Sequence, residues 1–394
     1  PPPPPPPLFF FQAEDGIRYY SASRGLGVVY KRQNMQNTKV TIKDVAKAAG
    51  VTNGTVDRVL HNRGEVAHET KAKVMSVVER LGYKPNVYAS MLARNKAHSI
   101  AVLMPSFSKG DFWELVHYGL ALSEEYAGRF SVSVVVYYYD QYDVESFRSQ
   151  CRQVLEDGHS GVILAPMFLD DTLSFSALLT ENNIPYVMLN TSAGTDGHLA
   201  YYGLAMYESG RCCADILMSM SDEEQRDKVY MVQIERDSKG LSDPSSDRRK
   251  GFRDYLSHYY PDTEVVTVLV NPNSPRQTFD VLSGAFDGLS GRLNIVTMNS
   301  RIFLVADYLR SRNMSGMNVV GCDVLKRNID ALREGYVRVL LGQHSDRQAA
   351  GAVMALTDYL ALGRKPKVRD NYMSIDILTK YNCKFYDCLE NPIG

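Results

Sequence analysis

The segment VTIKDVAKAAGVTNGTVDRVLHN occupies residues 40–62 and carries the periodicity of two short helices. Thr41 is an N-cap residue, and Ile42, Val45, Ala46 and Ala49 recur at the spacing that puts them on one helical face. Gly50 supplies the positive φ that a tight turn needs. Thr52 caps the second helix, in which Val56, Val59 and Leu60 point back at the first. Two such helices joined through Gly50-Val51-Thr52 form a helix-turn-helix, an arrangement whose second helix enters a DNA major groove by its N-terminus. A third helix is expected over His68 to Leu81, with Ala72, Val74, Met75, Val78 and Leu81 inward and Gly82 ending it. Tyr83-Lys84-Pro85-Asn86 then opens another short helical stretch, VYASMLARNK.

Outward from this segment, charge separates the chain into two parts. The whole carries a formal net charge of −1 over 394 residues. Between Lys39 and His98, however, eleven Lys and Arg stand against five Asp and Glu, so the rest of the chain is mildly acidic. A small basic module on a larger acidic body suits a DNA contact made by one end only. Hydrophobic residues make up 44% and charged residues 23%, ordinary values for a globular chain with room for two or three domains. The six cysteines (Cys151, Cys212, Cys213, Cys322, Cys383 and Cys388) lack metal-ligand spacing and read as free thiols of a reducing cytoplasm. No apolar run approaches the roughly 20 residues of a membrane span.

Residues 1–34 hold a proline run, a short aromatic patch and no period, and lack the basic start of a signal peptide. Their strings QAEDGIR and VVYKRQ resemble translated adapter sequence. They read as a non-native leader before a start at Met35, or as an unstructured tail.

The ungapped run from Val40 to Pro105, with Tyr83-x-Pro85-Asn86 and the Ala89-x-x-Leu92 hinge at the right distance, resembles the N-terminal signature of the LacI/GalR family of bacterial transcription regulators. The resemblance implies that Asn53 and Gly54 occupy base-reading positions at the start of the recognition helix, with Arg58 one turn on. A guanidinium there grips the O6/N7 edge of guanine bidentately, worth ~1–3 kcal/mol of discrimination, and Asn53 suits the N6/N7 edge of adenine. Gly54 has no side chain to read with. Thr41, Thr55 and Thr70 resemble phosphate anchors. Asp57 departs from the small hydroxyl usual in the family and either orients Arg58 or accepts from a cytosine N4. Leu92 matches the leucine that the family wedges into a minor-groove step, the alternative being a plain interdomain contact. Ala89 is small enough for two hinge helices to meet. The wedge needs two copies, so the resemblance implies a homodimer on double-stranded DNA at a near-palindromic operator.

Beyond Ser99 the pattern changes. IAVLMP, VSVVVYYY, GVILAP and PYVMLN are short apolar runs, with helical stretches such as FWELVHYGLALSEEY and VESFRSQCRQVLEDG between them. KVYMVQI, EVVTVLV, LNIVTMN, VVGCDV and VRVLLGQ continue the alternation, which means doubly wound parallel sheets. Roughly ten such units exceed one sheet, so two lobes are expected, with ligand at the carboxyl ends of the strands. The expected fold is a small all-α helix-turn-helix headpiece (39–84), a hinge helix and linker (85–98), and a two-lobed α/β body (99–394) for effector binding and dimerisation. This body resembles the type I periplasmic-binding-protein fold that LacI/GalR regulators use as effector domain.

Polar residues at strand ends are the candidate effector ligands: Asp140, Asn190, Asn299, Asp323 and Gln343. Arg248 stands at the arginine of an R-x-x-G-F motif, which in the family commonly holds a ligand hydroxyl or carboxylate. Phe112 and Trp113 offer a flat face for a pyranose-like ring, although Trp113 is equally readable as core. Acid, amide and guanidinium groups around an aromatic plate suit a ligand with many hydroxyls. There is no nucleophile elbow, zinc-protease helix, P-loop or dinucleotide fingerprint, and none of the eight histidines shows metal-ligand spacing. No enzyme activity, cofactor or metal is therefore expected. The sequence points to a cytoplasmic, ligand-responsive regulator of repressor type sensing a sugar, with no membrane partner. The alternative is the solute-binding protein of a sugar transporter.

Overall fold

A computed structural model describes residues 40–60, 65–83, 97–234 and 245–386. The chain divides into two units, residues 1–85 and 86–394.

The described residues of the first unit form the helices α1 (Ile42–Ala49), α2 (Asn53–Leu60) and α3 (His68–Arg80). Thr41 caps α1, its backbone N–H and its hydroxyl both donating to the Asp44 carboxylate at 2.8 and 2.7 Å. Gly50 ends α1 at φ 66°, a conformation that costs other L residues about 1–2 kcal/mol. Thr52 caps α2 by accepting the Thr55 N–H at 3.2 Å. Val45, Ala46, Ala49, Val56, Val59, Val74 and Val77 form the core between them. The inward face of α3 therefore differs from the expected one. Ala72 and Met75 are exposed, and Val77 is buried instead. The stripe that meets α1 and α2 runs through 74, 77, 78 and 81, and positions 72 and 75 lie off it.

The second unit holds two six-stranded sheets. The first lobe is built from β1 (His98–Pro105), α4 (Phe112–Gly128), β2 (Val132–Tyr139), α5 (Val144–Asp157), β3 (Gly161–Leu164), α6 (Leu169–Glu181), β4 (Tyr186–Asn190) and β5 (Ala200–Gly203). The chain then crosses into the second lobe: α7 (Met206–Ser219), β6 (Lys228–Ile234), α8 (Ser246–Tyr259), β7 (Glu264–Val270), α9 (Pro275–Phe286), β8 (Asn294–Thr297), α10 (Phe303–Ser311), β9 (Asn318–Cys322), α11 (Lys326–Glu334) and β10 (Val339–Gly342). It returns through α12 (Ser345–Leu362) and β11 (Asp370–Tyr372) to the first lobe, and β12 (Asp376–Leu378) closes the second.

Strand orders are β11-β5-β4-β3-β1-β2 and β12-β10-β9-β8-β6-β7. The described pairings are parallel except β10 with β12, which is antiparallel. Central strands such as β3, β4 and β9 are buried along their whole length, as sheets covered by helices on both faces require. The lobes are thus joined at three crossings, 203–206, 342–345 and 372–376. Sequence pattern missed β5, β11 and β12. Each is three or four residues long, and β11 and β12 lie at sheet edges with polar residues in them, so none shows an apolar run.

Two helical glycines set the second lobe's packing. A Cβ on Gly210 of α7 would lie 1.8 Å from the Arg248 carbonyl oxygen, and one on Gly251 of α8 would lie 1.9 Å from that of Tyr207. The backbones of α7 and α8 are in contact, and this contact fixes where the first turn of α8 stands.

Candidate functional site

The parallel strands of both lobes end on one cleft. Its lining includes Asp111, Phe112, Trp113, Asn190, Arg248, Asn299, Asp323 and Gln343. Seven of the eight candidate effector ligands are therefore brought together. Asp140 is not among them: it is exposed, and its carboxylate accepts the Tyr142 N–H at 2.9 Å in a tight turn. The turn spends the side chain on backbone, and the following Gln141 and Tyr142 face the cleft instead.

Backbone geometry marks the same place. Asn190 (φ 66°) and Asp323 (φ 71°) are both left-handed at the ends of their strands, and His344 (φ 50°) follows Gln343. Non-glycine residues in this region are uncommon, with Asn, Asp and His enriched, and they gather where a site fixes them.

A buried polar network ties these residues to one another. Gln343 donates to the Asp323 carboxylate, and the Gln348 amide donates to the Gln343 carbonyl at 2.8 Å. The Asn190 amide donates to Gln348 at 3.5 Å, while the Tyr201 hydroxyl donates to the Asn190 carbonyl at 2.9 Å. Arg248 is only 3% exposed and Asp323 only 5%. Arg248 donates from Nη1 to the Met298 carbonyl at 2.8 Å, and its buried Nε has no hydrogen-bond partner among the described residues. Burial pushes the Asp323 carboxyl above its ordinary range, against the pull of Arg248 and the Gln343 hydrogen bond. A buried donor left open beside a buried carboxylate is an arrangement that a hydroxyl-bearing ligand completes.

Phe112 and Trp113 meet edge to face with centroids 5.1 Å apart. Trp113 is 6% exposed and belongs to the first lobe's core, yet it also lines the cleft, so both readings of it hold. Asn299 lines the cleft while its side chain accepts the Arg301 N–H at 2.9 Å, shaping the loop after β8. Strand-end reasoning missed Asp111, Gln233, Arg249, Arg301 and Phe303. Gln233, a polar residue inside the apolar run of β6, is the one that carried a readable signal.

In the headpiece, Asn53, Gly54 and Arg58 are exposed on α2, with Asn53 and Gly54 forming its first two positions. Thr55 is half-buried with its hydroxyl 3.0 Å from that of Thr52. Thr41 is exposed and Thr70 half-buried. Ala89 and Leu92 lie outside the described residues. Among the described residues no group of His, Cys, Asp or Glu is arranged to hold a metal ion, and no helix is long and apolar enough to cross a membrane.

Residues 41–86 match the model of the bacterial regulatory proteins of the lacI family, and residues 100–365 match the periplasmic binding protein domain. The chain belongs to the periplasmic binding protein domain family and carries a lacI-family regulatory segment at residues 41–86. It is 35% identical over 156 residues to the HTH-type transcriptional repressor ExuR of Bacillus subtilis, covering 38% of this chain and 43% of that protein. It is 31% identical over 174 residues to catabolite control protein A of Staphylococcus aureus, covering 44% and 50%. The chain thus spans half or less of the length of these relatives. A crystal structure described as that of a LacI transcriptional regulator from Bacteroides fragilis superposes with a TM-score of 0.69 at 27% identity, covering 74% of this chain and all of that one. An Agrobacterium vitis solute-binding protein bound with alpha-D-tagatopyranose shares the fold, at TM-score 0.60, 17% identity and 72% and 95% coverage.

Proposed function

We propose that the chain is an effector-controlled transcription regulator of repressor type that binds double-stranded DNA and senses a sugar or related polyol. One observation carries the reading: a capped helix-turn-helix stands on the same chain as a two-lobed body whose cleft gathers amide, carboxylate, guanidinium and aromatic groups. Asn53 and Arg58 read bases from the exposed start of α2, while Thr41, Thr55 and Thr70 anchor phosphates. Residues 39–84 act as headpiece, 85–98 as hinge carrying Ala89 and Leu92, and 99–394 as effector and dimerisation domain.

The body forms a homodimer on a near-palindromic site. Both outer edge strands expose large apolar side chains, Val135 and Tyr138 on β2 and Leu269 on β7, which favours pairing of bodies over a monomer. Ligand that prefers one arrangement of the lobes shifts DNA affinity, and a coupling of about 1–3 kcal/mol is enough for a usable response. The cleft serves recognition without catalysis, and work on chromosomal DNA places the protein in the cytoplasm. The same body would serve a transporter's solute-binding protein, but the headpiece favours the regulator.

Selection of duplexes from a random-sequence pool by the full chain tests this reading. The expected winner is a near-palindrome, bound about 5–150-fold more weakly by Arg58→Ala, equivalent to ~1–3 kcal/mol. Failure to enrich any sequence overturns the proposal.

A further inference from the structure

The charges lining the cleft do not balance. Asp111 and Asp323 stand against Arg248, Arg249 and Arg301. Asp323 and Arg248 answer each other in the buried floor. Asp111 spends one carboxylate oxygen on the Ser108 N–H at 3.0 Å, closing the loop before α4. Arg249 donates to the Ser245 hydroxyl at 3.2 Å and has further partners. Arg301 differs from both. It is half-buried in the loop between β8 and α10, and its guanidinium has no ion pair or hydrogen bond among the described residues. Its backbone N–H is held by the Asn299 side chain at 2.9 Å, so the loop that presents it is braced.

A neutral polyol would satisfy Arg248, Asp323, Asn190 and Gln343, and would leave Arg301 to lose water without gaining a partner when the lobes close around it. A desolvated, unpaired charge is costly, whereas a guanidinium facing a carboxylate or phosphate forms the stronger, charge-assisted kind of hydrogen bond. We infer that the effector is an acidic polyol, a sugar acid or sugar phosphate, whose hydroxyls meet the Arg248–Asp323–Asn190–Gln343 floor and whose anionic group pairs with Arg301. This rests on the effector reading above and assigns Arg301 the role of selecting acidic over neutral sugars.

The test is calorimetric titration of the full chain with matched sets: D-glucose, D-glucuronate and glucose 6-phosphate, and D-galactose, D-galacturonate and galactose 6-phosphate. At least one acid should bind about tenfold or more tighter than its neutral parent. Arg301→Gln should weaken that acid and bring it to within about twofold of its neutral parent, which, relieved of the desolvated charge, should bind no more weakly than before, and Arg301→Lys should keep part of the preference. Preference for the uronates identifies a carboxylate ligand, and preference for the phosphates identifies a phosphate ester. Neutral sugars binding as tightly as the acids, or an acid preference that survives Arg301→Gln, would overturn the inference and leave sugar sensing intact. Binding of no member of either set would overturn both. Arg301→Gln melting with the parent protein shows that the substitution acts on the ligand and not on folding.

Discussion

Arg248 is where sequence, burial and chemistry meet in one side chain. It stands in the first turn of α8, lies almost wholly buried near Asp323, and keeps one donor without a partner among the described residues. Arg248→Ala would leave the buried Met298 carbonyl without its donor and the buried Asp323 carboxyl without the nearby positive charge, a loss of about 1–3 kcal/mol. Urea unfolding of the full chain should show that loss, together with loss of effector binding. A second titratable group sets a pH limit. Burial, and then the Arg369 guanidinium that donates to His198 at 3.2 Å, hold the His198 imidazole below its usual pKa. The unfolded chain takes up this proton near pH 6.5 while the folded one resists, so stability falls as pH drops below about 6.5. Burial lowers His159 in the same way. The melting temperature of the parent should therefore fall between pH 7 and pH 5.5, and His198→Gln should flatten that slope. Arg248 was legible because its motif includes Gly251 and Phe252. His198 and Arg301 were not, because their partners and neighbours are set by contacts far along the chain.

At the scale of elements, the glycine contact between α7 and α8 positions the guanidinium. Gly210→Ala places a methyl group against the Arg248 carbonyl, where the helices cannot both stay. Overpacking of this kind costs about 1–3 kcal/mol, and here it also moves the first turn of α8. The expected outcome is a lower melting temperature with weakened effector binding, while DNA binding by the separate headpiece unit persists. A melting temperature and effector affinity equal to the parent's would show that α8 is not set by this contact. Helical caps and strands were legible: Thr41, Gly50 and Thr52 act as their residue types suggest, and the apolar runs became β1 to β4 and β6 to β10. The face of α3 was misread at Ala72 and Met75 because the stripe depends on the angle at which α1 and α2 meet it. The short strands β5, β11 and β12 left no pattern, since strands this brief, two of them at sheet edges, are stabilised by their neighbours' hydrogen bonds rather than by an apolar run of their own.

For the whole molecule, two parts of opposite charge balance are held on one chain, and the three crossings between lobes connect the cleft to the rest of the body. The alternation of strand and helix made the two lobes readable, and the strand-end rule found Asn190, Asn299, Asp323 and Gln343 of the cleft. What it could not supply was the cleft's charge, because Asp111, Arg249 and Arg301 sit in loops and first turns where spacing carries no rule. The central claim is that DNA and effector bind one chain and influence each other, and thermodynamic reciprocity tests it directly. The affinity of the full chain for its selected near-palindromic duplex should be measured with and without a saturating concentration of the tightest-binding sugar of the calorimetric sets. The affinity is predicted to change by about 5–150-fold, and the sugar's own affinity by the same factor when duplex is saturating. An affinity for duplex that is the same with and without the sugar would contradict the claim.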